Sequence, residues 1–175
     1  MLVTVWLGAT LVTLPKVFLT RDAALARAFG DEAEVTRRTV FLSERQVAAG
    51  RELAGPGIEL RSAMVVQYVG RLGDRLLGTA YFDTHRVRTL QETLMVVVDA
   101  EGKVASVTVL TFDEPENYLP RDAWYRQFDG RGLDEQLALK RGVHGITGAT
   151  LSAEATTDAV RRVLAVHAVI EEARR

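Results

Sequence analysis

The chain contains no cysteine. That absence excludes iron–sulfur clusters held by thiolates, c-type haem attachment, zinc sites of the Cys type, disulfides and a thiol nucleophile. Any redox chemistry needs an organic cofactor or a metal without sulfur ligands. A surplus of charge is missing too: 22 Lys+Arg stand against 23 Asp+Glu, for a net charge of −1 and a pI near 6.3. Nucleic acid is therefore not an expected partner. The three histidines (His85, His144 and His167) have no i,i+3 or i,i+4 relation to one another, so no metal site is expected. There is no GxGxxG fingerprint for a nicotinamide dinucleotide, no internal repeat and no low-complexity tract.

What is present begins with an apolar start. Residues 1–15 carry no charged side chain, and Lys16 is the first charge. A bilayer core takes roughly 20 apolar helical residues. Residues 1–20 are therefore expected to form a membrane anchor or signal-like segment, uncleaved for want of an A-x-A site. The alternative is a buried strand or core helix. Residues 21–175 are expected to form one domain, since 47% hydrophobic residues suffice for a core.

The patterning predicts an α+β domain, an antiparallel sheet packed with helices. An Ala-rich helix is expected over 20–30, with Gly30 ending it, and a strand over 34–43. Ser43 should cap a second helix that stops at Gly55-Pro56-Gly57. Strands follow at 63–72 and 75–85. A hairpin at 92–112 turns through Asp99-Ala100-Glu101-Gly102, with both faces apolar enough to be covered on each side. Residues 113–122 read as a loop and 123–130 as a short helix. Trp124 and Tyr125 read as core, and Arg86 and Arg88 as neighbours on one strand face. From Ser152 onward, Ala155, Ala159, Val163, Val166 and Ile170 mark an amphipathic helix, with Arg161, Arg162, Glu171 and Glu172 assigned to its wet face.

The chemistry is concentrated in residues 144–154, H-G-I-T-G-A-T-L-S-A-E. Thr147 and Thr150 bracket Gly148-Ala149, and small residues let the backbone turn tightly. Ser152 reads as the N-cap of the last helix, with Glu154 in its first turn. A hydroxyl-rich loop at a helix N-terminus is suited to a phosphate, because free N–H groups and the positive dipole end meet there. An ordinary tight helix entry satisfies the same pattern.

The run Thr147-Gly148-Ala149-Thr150-Leu151-Ser152 resembles the S/T-G-A-T-hydrophobic-T/S signature of the FMN-binding domain family. That family includes the C subunit of the sodium-translocating NADH:quinone reductase and the G subunit of the Rnf complex. Looser matches follow in the family's order: the 92–112 strand pair, Glu114-Pro115 with Tyr118, the Tyr125/Gln127/Phe128/Gly130 piece, and the helix through Ala159-Val160-Arg161-Arg162. The resemblance implies FMN carried covalently on Thr150 through a phosphoester, attached by a flavin transferase with FAD as donor. It implies that Thr147, Gly148, Ala149 and Ser152 shape the loop, that Leu151 lies against the flavin, and that Glu114 and Pro115 approach it.

It further implies a relay that passes electrons between partner redox proteins rather than a stand-alone enzyme. Such a protein would sit at the inner membrane through residues 1–20, with its domain facing the periplasm or cell exterior. In one place the chain departs from the family pattern. The position three residues before the motif is His144, where the family usually has aspartate. A flavin-free anchored module for assembly or sensing, with the same fold, is the alternative this departure supports.

Overall fold

A computed structural model of the protein describes residues 17–174. Among them lie five strands and four α-helices: α1 (Arg21–Phe29), β1 (Glu34–Phe41), α2 (Glu44–Ala54), β2 (Met64–Leu72), β3 (Arg75–Arg86), β4 (Gln91–Val98), β5 (Val104–Phe112), α3 (Asp122–Tyr125) and α4 (Thr150–Glu172). The strands form one antiparallel sheet in the order β1-β2-β3-β4-β5, a meander in which every neighbour in space is a neighbour in sequence. The fold is the expected α+β architecture.

The local signals act as their chemistry requires. Thr20 Oγ1 accepts from Ala23 N at the start of α1, and Gly30 closes it. Ser43 and Gln46 make a reciprocal capping box on α2, satisfying two N–H groups that the first turn would otherwise leave unpaired. In the β4–β5 turn, Asp99 Oδ1 accepts from Glu101 N and Lys103 N, and Gly102 takes the positive φ of 77°.

Both faces of the sheet are covered. On one, α2 and α4 bury Tyr81, Val96, Val98 and Val104 against Val160, Leu164 and Ile170. On the other, α1 packs Leu25 and Phe29 against Tyr68, Ala80, Met95 and Val97. Gly70 makes that second contact possible: a Cβ there would lie 2.6 Å from the Phe29 ring. α4 is the axle of the domain and is buried on most of its circumference.

Three expectations need correcting. Arg161 and Arg162 do not lie on a wet face, because α4 is sandwiched between the sheet and α2. Arg161 donates to the carbonyls of Ala54, Asp134 and Leu137, and Arg162 is buried on Asp83. The 123–130 helix is two short pieces, α3 and a 3-10 turn at Arg126–Phe128. Arg88 lies past the end of β3, stacked 4.6 Å over the Tyr118 ring, so it shares no strand face with Arg86.

The expected anchor at residues 1–20 falls mostly on residues that the structure does not describe. Residues 1–16 lie outside the described residues. The last four positions, 17–20, are not helical: Val17 bridges Thr111, and Phe18 N donates to Leu110 O, against the β5 edge. Among the described residues, no helix is long and apolar enough to cross a membrane.

Candidate functional site

One end of the sheet gathers the chemistry. It is the end where β3 finishes, β4 begins and β5 finishes. His85 stands directly opposite Glu92 in the β3–β4 register, and Glu92 opposite Phe112 in the β4–β5 register. Over this end lies the start of α4, fixed by Thr156 Oγ1 donating to Glu92 Oε2 at 3.2 Å.

The 144–149 loop reaches that helix by way of α3. Trp124 Nε1 donates to the His144 carbonyl at 2.8 Å, and His144 N donates to Gln127 Oε1 at 2.8 Å. Gln127 is itself held through its Nε2 to Trp124 O. The Trp-x-x-Gln spacing across α3 and the following 3-10 turn thus presents one donor and one acceptor to the backbone of one residue. The His144 side chain takes no part and is exposed.

Beyond it, Thr147 and Gly148 make the turn, with Gly148 at φ +84°. Ala149 N donates to Ile146 O, and Ala149 is the N-cap of α4. Ser152 is therefore not the cap that the sequence suggested. It sits in the first turn, and Glu154 in the second. The helix starts three residues earlier because the Gly148 turn brings Thr150 into helical geometry at once.

This start differs from those of α1 and α2. Ala149 has no side-chain oxygen, so no side chain caps the first-turn N–H groups of a 23-residue helix. The Thr150 side chain is exposed, and its hydroxyl donates only at 3.4 Å to Ile146 O. The Thr147 side chain has no hydrogen-bond partner among the described residues. Space beside Gly145 and Gly148 is open. Leu151 is a large apolar side chain 48% exposed. It lines a cavity of about 210 Å³ with Glu154, Asp158, His85, Arg86 and Arg162. Asp158, partly buried and close to Glu154, has its carboxyl pushed above the usual range, burial being the larger cause.

Glu114 and Pro115 follow the end of β5. Glu114 Oε1 accepts from the backbone N–H groups of Arg88, Thr89 and Leu90, at 3.1, 2.6 and 2.8 Å, and so closes the β3–β4 turn. Burial opposes its charge, but these donors outweigh it and hold the carboxyl below its ordinary range. Pro115 is exposed and precedes a 3-10 turn at Glu116–Tyr118. Glu114 thus has a structural task that its sequence context did not reveal.

Two buried side-chain oxygens have no partner among the described residues: Ser152 Oγ and Asp113 Oδ1. One lies in the first turn of α4, the other beside Glu114. An unsatisfied buried polar group costs about 1–3 kcal/mol. The Ser152 hydroxyl, with an uncapped helix start and an exposed threonine, fits the phosphate of a ligand, whereas Asp113 Oδ1 can only accept and would need a donor group.

A second cluster lies beneath, and sequence reading did not assemble it. His85 is 2% exposed, and its Nδ1 lies 3.0 Å from Asp83 Oδ1 and its Nε2 3.1 Å from Glu92 Oε2. Asp83 receives Arg162 at both oxygens, and Glu92 also accepts from Tyr125 Oη and Thr156 Oγ1. Burial disfavours the imidazolium, but the two carboxylates outweigh it and raise the His85 pKa. Burial also works against the charge of Asp83, yet His85 and Arg162 hold its pKa down. The ring separates the two carboxylates, so they cannot converge on a metal. Among the described residues no group of three ligands does so. A signal was available: a hairpin turning at 87–90 pairs position 85 with 92, and Asp83 shares the face of His85 by strand alternation.

His167 is a satisfied packing residue, as its place on the helix suggested. Its Nδ1 lies 2.8 Å from Tyr81 Oη, and Gln67 Nε2 donates to that oxygen. Burial lowers the His167 pKa and raises that of Tyr81.

Residues 91–165 match the family model of the FMN-binding domain. The match runs from the start of β4 into α4 and contains Glu92, Glu114, the Trp124–Gln127 anchor and the whole Thr147–Ser152 run. It is the family that the T-G-A-T signature resembles, and it supports FMN as the cofactor. No curated protein matches the chain.

Proposed function

We propose, from an FMN-binding domain at residues 91–165, that this flavoprotein carries its FMN covalently on Thr150 and relays electrons between partner redox proteins. The observation that carries the reading is the exposed Thr150 hydroxyl at the uncapped start of α4, inside the family match. Thr150 would be joined in maturation by a flavin transferase. Its Oγ–P bond forms as the phosphoanhydride bond of FAD breaks, AMP leaves, and the hydroxyl proton passes to a base of the transferase.

First-turn N–H groups of α4, with the Thr147 and Ser152 hydroxyls, would hold the phosphate. Leu151 would cover one side of the isoalloxazine ring and exclude water there. Bound FMN supplies one- and two-electron transfer. The apolar run at 1–20 supports attachment to the inner membrane, with the domain facing the periplasm or exterior. A covalent link suits that side, where a dissociated cofactor is lost.

Intact mass spectrometry of the full chain, co-expressed with a flavin transferase, tests this. The expected result is an added mass of FMN less one water, abolished in Thr150→Ala. No addition, or addition that survives Thr150→Ala, overturns the covalent reading. A protein that also fails to retain free FMN on dialysis would be the flavin-free module.

A further inference from the structure

The sheet is not zipped along its whole width. β1 pairs with β2 from Glu34↔Arg71 through Phe41↔Met64, and β3 pairs with β4 as far as Arg86↔Gln91. Between β2 and β3, however, the register runs only from Leu72↔Arg75 to Tyr68↔Ala80. Residues 64–67 and 81–86 therefore pair outward and part from each other. The gap between them is a cleft of about 450 Å³, within the range that small-molecule sites occupy.

Its walls are about half apolar and its charges mainly of one sign. Tyr68 and Phe82 line it from the α1 face, and Leu60, Val163 and Val166 from the α4 face. Four arginines border it (Arg21, Arg37, Arg61 and Arg162) against one acid, Asp83, which Arg162 already neutralises. The other three have no ion pair within 4.0 Å among the described residues. In a chain of net charge −1 this is a local concentration. Arg21 is held over the Tyr68 and Phe82 rings at 5.9 and 5.5 Å, and those rings meet edge to face. Arg61 is held at the mouth by donating to Thr84 O at 2.7 Å.

We propose that the cleft between the parted halves of β2 and β3 binds a small organic anion with an apolar or aromatic body. The body lies between Tyr68, Phe82 and Val163, and the anionic group meets Arg37 and Arg61. An inorganic anion would leave the apolar part of the walls uncovered, and a neutral molecule would leave Arg37 and Arg61 without an anionic partner. This site does not depend on the flavin reading. It shares Arg61 and Arg162 with the cavity beside Leu151, so an occupant borders the end of the sheet where the FMN-binding loop lies.

The test uses the full chain and three probes in fluorescence titrations: 8-anilinonaphthalene-1-sulfonate, the uncharged N-phenyl-1-naphthylamine of similar rings, and sodium sulfate as competitor at constant ionic strength. The expected result is saturable binding of one sulfonate probe per chain. That binding should weaken about tenfold or more in Arg37→Gln/Arg61→Gln. The neutral probe should bind less tightly and respond little to the substitutions, and sulfate should displace poorly. Both arginines are on the surface, and a thermal melt of the variant checks that it folds. Arg61→Glu should weaken the sulfonate probe further. Equal affinity for charged and neutral probes, non-saturable binding, or affinity unchanged in the folded variants would overturn the proposal.

Discussion

Two polar clusters share one end of the sheet and are built on opposite terms. In the Asp83–His85–Glu92 cluster nearly every polar atom is answered, by Arg162, Tyr125 and Thr156, and the members are buried or nearly so. In the Thr147–Ser152 loop the helix start is uncapped, one hydroxyl is exposed, and one buried oxygen is left over. The first arrangement ties two strands and α3 to α4 and leaves little to offer a ligand. The second has hydrogen-bonding capacity to spare. Satisfied groups here mark the frame, and unsatisfied ones mark the candidate site.

Substitutions can break this division. The largest effect should be Thr150→Ala in the open loop: complete loss of the covalent flavin mass, with the denaturation midpoint of flavin-free protein nearly unmoved. Glu92→Ala in the closed cluster should do the reverse. It removes one partner of a buried network, and a loss of about 3–5 kcal/mol is expected by urea unfolding. If Glu92→Ala leaves stability intact, the cluster is not the frame.

The pH dependence sharpens the same contrast. The raised His85 pKa means that this residue's contribution is fully present below the ordinary histidine range and is lost as pH rises through the raised value. The lowered Asp83 pKa acts at the other end: its contribution is present above the ordinary aspartate value and is lost as pH falls through the lowered one. Unfolding free energy measured against pH should decline on the alkaline side in the native chain. In His85→Gln that decline should flatten, whereas Thr150→Ala should leave it as it is.

Smaller effects belong to the loop itself. Gly148→Ala forces a side chain to φ +84° and should cost about 1 kcal/mol, lowering the thermal midpoint. Ser152→Ala removes a buried hydroxyl with no partner. In flavin-free protein it should be neutral or stabilising by up to about 1 kcal/mol. In flavin-loaded protein it should destabilise, and a change of sign between the two forms would identify Ser152 as a ligand to the cofactor.

Much of the fold was legible because its signals are local. Ser43, Gly30 and the Asp99–Gly102 turn each act within five residues, and the structure uses all three as expected. T-G-A-T was legible for the same reason. What escaped depends on partners far apart in the chain. Arg162 reads as solvated until Asp83, 79 residues away, is brought to it. The structural task of Glu114, accepting from three N–H groups of the 88–90 turn, stays hidden until residues 24–26 positions away are brought to it. Ser152 reads as a cap because serine usually is one, and only the Gly148 turn moves the helix start ahead of it.

The seating of the 144–149 loop has one more consequence. Trp124 and Gln127 grip the backbone of His144 and leave its side chain outside. The shape of the loop and the identity of residue 144 are therefore separable traits. A lineage can exchange a carboxylate for an imidazole there, and alter what a maturation enzyme meets on approach, while the loop stays docked on α3 as before.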